Sequence, residues 1–436
     1  MDDLGIEELQ IYNDKAPIST PNISKMASEG MKFTQHYAGT AVCAPSRCAL
    51  MTGLHTGHCE VRGNKQWIPS GQMPISDATV TIAEKLKTAG YKTALFGKWG
   101  LGVEGTSGEP TKQGFDTYYG YLDQVLAHNT FPEYLLRDGK KEMLDNKVTW
   151  ESPDAFFKGL GSYTPKAYQK VYANDLFTKE ALSYIQKNTE NPFFLYLAYT
   201  IPHNNGEAPK VDRFESPTLE PFSNEDWTET EKRYAASIHR MDTYIGEIMK
   251  LLETTGLDKN TIVFFTSDNG STEDIPVRFA HHNQYRGMKR SPYEGGIRAP
   301  LLVWWKGKIS PNSVSNDIVA QWDFFPTACA IAGITASENI DGKVMSAIIK
   351  NKKKVAKAHV LYWEFHEQGG WQAMRSGDNK LIYRNKTKEY ELYDLKNDVA
   401  EQKNLISDYP RLAQKLKTKM EKMRTLSNDF NFGHLN

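Results

Sequence analysis

The chain has 436 residues, and its 53 Lys and Arg balance 53 Asp and Glu, so its formal net charge is zero. That length predicts a large core with a smaller appended unit, and the even balance provides no electrostatic footprint for nucleic acid. No apolar stretch approaches the ~18 residues of a membrane span, and nothing at the N-terminus reads as a signal peptide.

Short apolar runs alternate with amphipathic stretches. Helices are predicted over Pro21–Glu29, Val80–Ala89, Tyr172–Lys187 and Asn224–Glu253, and strands over Thr93–Phe96, Phe193–Tyr199, Ile262–Thr266 and Leu301–Trp304. This alternation predicts an α/β core built on a largely parallel sheet. From about Val355 the pattern changes. Val360–Phe365, Trp371–Arg375, Asn379–Arg384 and Glu389–Leu395 alternate over short spans between turn residues, which predicts a small antiparallel sheet. A closing helix is expected over Tyr409–Met423. The run Lys352–Lys354 marks the boundary, giving a core over 1–350 and a C-terminal α+β subdomain over 351–436. There is no internal repeat.

Residues able to do chemistry sit at the ends of the predicted strands, where open α/β sheets place ligands. Lys98 follows Thr93–Phe96, Pro202-His203 follows Phe193–Tyr199, and Ser267-Asp268-Asn269-Gly270 follows Ile262–Thr266. Near the start stands Cys43-Ala44-Pro45-Ser46-Arg47, then Thr52-Gly53. A helix beginning at Pro45 would fold the Arg47 guanidinium back towards Cys43 and offer its N-terminus to an anion. Asp2, Asp3, Asp268 and Asn269 are hard oxygen donors, a set that suits Ca²⁺ or Mg²⁺ and is poor for zinc.

The Cys-x-Pro-Ser-Arg pattern followed by Thr-Gly resembles the signature of the type I sulfatases. Asp2-Asp3-Leu4-Gly5, Gly97-Lys98-Trp99-Gly100-Leu101-Gly102, Pro202-His203, Ser267–Gly270, Gly287-x-Lys289 and Tyr293–Pro300 resemble that family's further blocks, in its order. The resemblance implies an alkaline-phosphatase-like fold and conversion of Cys43 to Cα-formylglycine by a maturation enzyme. The hydrated aldehyde would attack sulfur, form a sulfated enzyme and then expel inorganic sulfate as the aldehyde reforms. One Ca²⁺ would be held by Asp2, Asp3, Asp268, Asn269 and the nucleophile at Cys43. Arg47 would bind the nucleophile's oxygens, Lys98 and Lys289 would supply positive charge, and His203 would protonate the leaving oxygen. Three cysteines, Cys48, Cys59 and Cys329, would remain as buried thiols.

Two departures from the family accompany this. The family's strand before the acidic pair, and any export signal, are absent from the chain, and a cropped start is the expected reason. Family members are usually exported, so a periplasmic or secreted location is expected. The histidine that the family often carries within its Gly-Lys-Trp block is here Gly100. His55, His58 and His128 are the candidates to replace it, with His128 expected to contact sulfate or sugar.

Tyr362–Trp371 mixes aromatic, carboxylate and amide side chains, and Trp363, Glu364 and His366 are the expected sugar contacts. The substrate expected is a sulfated carbohydrate cleaved in exo fashion. The alternatives are a phosphodiesterase or phosphonate monoester hydrolase of the same superfamily, in which Ser-Asp-His-Gly typically replaces Ser-Asp-Asn-Gly, and an inactive sulfated-glycan-binding homologue. Oligomeric state is left open.

Overall fold

A computed structural model of the chain describes residues 1–65, 72–150, 161–280, 284–345, 347–348 and 359–432. In chain order it contains α1 (Pro21–Glu29), β1 (Met31–Tyr37), α2 (Cys43–Thr52), α3 (Ile82–Thr88), β2 (Lys92–Lys98), β3 (Thr117–Tyr121) and the hairpin β4 (Tyr134–Arg137) and β5 (Lys140–Met143). Two short strands follow, β6 (Thr149–Trp150) and β7 (Ser162–Tyr163), then α4 (Ala173–Lys187), β8 (Phe193–Ala198), α5 (Glu229–Thr254) and β9 (Val263–Thr266). Next come α6 (Glu294–Ile297), β10 (Leu301–Trp304), β11 (Ser313–Ala320) and α7 (Phe324–Ile331). The C-terminal part holds β12 (Val360–Phe365), β13 (Trp371–Ser376), β14 (Asn379–Arg384), β15 (Glu389–Asp394) and α8 (Pro410–Glu421).

Local chemistry explains the helix limits. Thr81 with Glu84, and Thr228 with Glu231, form reciprocal capping boxes at the starts of α3 and α5, each satisfying two otherwise orphaned donors. Pro21 opens α1, where its missing N–H costs nothing. Gly53, at φ +72, ends α2 and donates to the Ala49 carbonyl, a conformation a residue with a Cβ would adopt at a cost.

The sheet is more mixed than alternation alone suggests. One sheet has the order β11-β1-β10-β9, in which β1 pairs parallel with β11 but β10 runs antiparallel to both β1 and β9. A second has the order β5-β4-β3-β2-β8, with β3 and β8 both parallel to β2. β1 and β11 were not read from the sequence because Met31–Tyr37 and Ser313–Ala320 are about half polar, with only Phe33, His36 and Tyr37 of the first and Ser315, Val319 and Ala320 of the second buried. The free edges of β8 and β9 face each other across a cavity of about 570 Å³, and among the described residues no strand lies between them. A large apolar cluster packs α1, α4 and α5 against one face of these strands.

β12 to β15 form an antiparallel meander with α8 over one face. Its other face joins the core through Trp363, Phe365 and Trp371. Buried charge also ties the two parts together: Glu294 pairs with Arg298 at 2.7 Å and Lys380 at 2.9 Å, and Lys380 reaches Glu401 at 2.8 Å. Lys352–Lys354 and the expected boundary at 350/351 lie outside the described residues. Among the described residues no helix is long and apolar enough to cross a membrane.

Candidate active site

Six segments distant in sequence deliver polar side chains to one buried point. Cys43 is the first residue of α2, two residues earlier than the start expected at Pro45. Arg47 is one turn on and shares its face. Lys98 ends β2, His203 follows β8, Asp268 and Asn269 follow β9, and Lys289 comes from the loop before α6. Asp2 and Asp3 arrive from the N-terminus, with Asp3 at φ +62. A non-glycine residue in that region is strained and persists only where its surroundings hold it.

The contacts interlock three carboxylates with three cations. Arg47 clamps Asp268 at 2.7 and 3.2 Å and donates to the Lys98 carbonyl at 2.6 Å. Lys98 Nζ lies 2.7 Å from Asp2, and Lys289 Nζ lies 2.7 Å from Asp3. The Cys43 thiol approaches Asp2 at 3.3 Å. Asn269 donates from Nδ2 to Asp3 at 2.8 Å, which leaves its buried Oδ1 without a donor among the described residues. A buried acceptor oxygen without a partner is costly, and a cation beside it would remove that cost.

Electrostatics sort these groups. Burial alone would raise the Asp2 carboxyl, but Lys98, His203 and Arg47 outweigh it and hold it well below the usual range. Asp3 is lowered too: burial opposes ionisation, and Lys289 overcomes it. Asp268 goes the other way, raised by burial and by the charge of Asp2. Burial and the Asp2 charge push the Cys43 thiol far up. An unmodified Cys43 is therefore a neutral thiol and a poor nucleophile.

His203 is held well below its ordinary value by burial and by Lys289. Its Nδ1 lies 2.6 Å from the Asn204 carbonyl, which assigns the ring proton there. Nε2 then accepts from Lys289 at 3.0 Å. As placed, the proton shared by these two side chains resides on Lys289.

Asp2, Asp3, Cys43 and His203 each bring a ligand atom within 4.8 Å of one another. The oxygens of Asp2, Asp3 and Asp268 with the open Oδ1 of Asn269 fit a hard divalent cation.

The expected substrate contacts divide. His128 stacks on His203 with ring centroids 4.7 Å apart, and its Nδ1 lies 3.1 Å from Glu207. Trp363 and Glu364 do not face a substrate, contrary to expectation. Trp363 is fully buried, donates to the Ala38 carbonyl and packs on Tyr37. Glu364, also fully buried, holds Arg62 at 2.8 Å and Arg424 at 2.9 Å. His366 lies 3.4 Å from Glu364 and stacks on Phe432. Trp363 and Glu364 thus tie the C-terminal sheet to the core through Ala38, Tyr37 and Arg62. His55 and His58 stack on each other beside Asp341, beyond the C-terminal end of α2. Cys48, Cys59 and Cys329 are buried free thiols.

Gln124, which carried no sequence signal, fills the room beside Gly100. A Cβ at position 100 would come within 1.8 Å of its Nε2. Glu207 was equally silent, since its role depends on His128 lying 79 positions away.

A profile described as Sulfatase matches residues 1–334. The chain belongs to the sulfatase family. A second profile, N-sulphoglucosamine sulphohydrolase, C-terminal, matches residues 282–426 of this sulfatase-family chain. An arylsulfatase of Hemicentrotus pulcherrimus is 31% identical over 381 residues, covering 83% of this chain and 62% of that protein. The human N-acetylgalactosamine-6-sulfatase is 31% identical over 363 residues, covering 78% and 63%. The chain thus spans a little under two thirds of these relatives' lengths. Among solved structures, Ps i-CgsB in complex with k-i-k-neocarrahexaose superposes with a TM-score of 0.77 at 25% identity, covering 99% of this chain and 92% of that one. A Bacteroides thetaiotaomicron protein, solved in work on the metabolism of multiple glycosaminoglycans, gives 0.75 at 26% identity, covering 97% of each.

Proposed function

We propose that this chain hydrolyses a sulfate ester of a carbohydrate, using Cys43 converted to formylglycine and one calcium ion. The observation that carries the reading is the buried meeting of Cys43 at the start of α2 with three carboxylates, three cations and the unpartnered Asn269 Oδ1. Asp2, Asp3, Asp268 and Asn269 would hold the ion, which would supply Lewis-acid polarisation of sulfate oxygens. The hydrated aldehyde would supply the hydroxyl nucleophile that a neutral buried thiol does not.

The protein's own groups do the rest. Lys98 and Lys289, both buried, place positive charge where the sulfate oxygens and leaving alkoxide gain negative charge. Arg47 orients Asp268 through its two-point clamp, and its charge favours the carboxylate against the burial that raises this carboxyl. The Lys289–His203 pair, 3.0 Å apart, delivers the proton to the leaving oxygen. His128, held by Glu207 against His203, is the proposed sugar contact.

A carbohydrate is favoured by the N-acetylgalactosamine-6-sulfatase relatives and by the structural likeness to a protein crystallised with neocarrahexaose. Asn269, in place of histidine, favours sulfate over phosphodiester. The test is inorganic sulfate release from singly sulfated galactose, glucose and N-acetylated hexosamines, with protein co-produced with a formylglycine-generating enzyme. Release from one of these sugars, lost in a folded Cys43→Ala variant, is expected. Cleavage of steroid sulfates alone would overturn the substrate class, and preference for an aryl phosphodiester would overturn the reaction.

A further inference from the structure

We propose that Gln124 is a substrate-binding residue whose side-chain amide takes a pair of neighbouring sugar hydroxyls, Nε2 donating to one and Oε1 accepting from the other. The inference rests on the carbohydrate sulfatase reading above and deepens it, adding a contact that separates a sulfated sugar from other sulfate esters.

Gln124 is 4% exposed, and among the described residues neither its Nε2 nor its Oε1 has a hydrogen-bond partner. Buried polar atoms are almost always paired, and an amide with both ends open is costly. The backbone around it is held independently of that amide. Trp99 and Gly100 donate to the carbonyls of Tyr121 and Leu122 at 2.8 and 3.0 Å, fastening the start of the loop to the strand end that delivers Lys98. Asp123 Oδ1 accepts from the N–H groups of Val125 and Leu126 at 2.7 and 3.0 Å, which closes the turn. At the far end His128 stacks on His203. The loop carrying Gln124 therefore runs from the Lys98 strand to the His128–His203 stack. Gly100, at φ +85 and without a side chain, lets the amide lie against its backbone, where a Cβ would come within 1.8 Å of Nε2.

The chemistry of the amide selects the ligand. A sulfate oxygen only accepts and would leave Oε1 open, and a metal ion would meet Oε1 and leave Nε2 open. Two neighbouring hydroxyls, each both donor and acceptor, satisfy the two atoms together. A sulfated monosaccharide presents such a pair on its ring, and a simple aryl sulfate has none. The hydrated aldehyde at position 43 also carries two hydroxyls, but that position is already served by Asp2 at 3.3 Å and by the charges of Lys98 and Lys289. With His128 fixed by Glu207 at 3.1 Å, the same loop would hold the sugar at two points.

The test uses formylglycine-bearing protein and whichever of singly sulfated galactose, glucose and N-acetylated hexosamines it cleaves fastest, with deoxy analogues of that sugar lacking each ring hydroxyl in turn. Gln124→Leu keeps the volume and removes both polar atoms, so Tm should hold or rise. Its kcat/KM for the sugar should fall about 10- to 100-fold, and the loss on p-nitrophenyl sulfate should be at least about fivefold smaller. One deoxy analogue should cost the parent a similar factor but cost Gln124→Leu less than about twofold, the non-additivity of a shared contact. Calorimetric titration of the same sugar into Cys43→Ala, with and without Gln124→Leu, should show the loss of affinity in the absence of turnover. A Tm lowered by about 3 °C or more would make Gln124 a structural residue, and an equal loss on p-nitrophenyl sulfate would make it a partner of the nucleophile. Either result, or equal deoxy penalties in parent and variant, overturns the assignment alone while sulfate release from the sugar stands. A parent that neither cleaves nor binds any of the sugars overturns the carbohydrate reading and the assignment together.

Discussion

Glu364 separates a sugar contact from a structural anchor, and the two roles predict different losses. Its carboxylate is fully buried, with Arg62 at 2.8 Å on one oxygen and Arg424 at 2.9 Å on the other, and it accepts from the Tyr362 hydroxyl at 3.0 Å. Burial alone would raise this carboxyl; the His366 hydrogen bond and the charges of Arg62, His366 and Arg424 bring it from 4.5 down to about 2. At about 1.4 kcal/mol per pH unit, that displacement stores about 3 kcal/mol. Glu364→Gln keeps the shape but leaves both guanidinium groups without their anion, a loss of about 3–5 kcal/mol for a broken buried pair. Because the folded value is depressed, the contribution is complete above pH 4.5 and is lost as pH falls from there through 2. Urea denaturation followed by tryptophan fluorescence should therefore show a stability loss of about 3 kcal/mol near pH 7, with a flatter acid limb than the parent. KM for the sulfated sugar should stay within about twofold, since the side chain touches no substrate. A stability loss below about 0.5 kcal/mol together with a KM raised about tenfold would refute this and restore Glu364 as a sugar contact.

Gly100→His should destabilise by about 2 kcal/mol or more, because φ there is +85 and a Cβ would meet Gln124 Nε2 at 1.8 Å, combining strain and overpacking. Adding Gln124→Ala should recover part of that loss in a double-mutant cycle; full additivity would show that the two positions do not compete. Burial lowers His36 and His55 from 6.5 to about 4, so their unfolded forms bind protons first and stability should fall as pH drops from 6.5 through 4. His36→Gln should flatten that limb of a Tm-against-pH curve, and an unchanged slope would contradict it. Asn269→Leu removes the open Oδ1 and should weaken calcium binding at least about tenfold by calorimetry; equal affinity in the variant would remove Asn269 from the ligand set.

What the sequence alone determined was everything written in local order. Strand-ending motifs such as Ile262–Thr266 followed by Ser267-Asp268-Asn269 were legible because an apolar run and the turn residues that stop it are neighbours. The four C-terminal strands and α8 were legible for the same reason. The meeting of Asp3 with Lys289, 286 positions apart, was foreseen only through resemblance to a family, not through spacing. The tertiary structure decided the rest. A cluster of aromatic and acidic residues reads alike whether it faces a sugar or the inside of the protein. For Trp363 and Glu364 the answer came from Ala38, Arg62 and Arg424, the first two more than 300 positions away. β1 and β11 escaped notice because half-polar strands become strands through pairing with each other, and pairing has no local signature. Gln124 beside Gly100, and the slot between β8 and β9, exist only once distant backbones are packed together. Local chemistry sets which residues can act, and chain topology sets which of them meet.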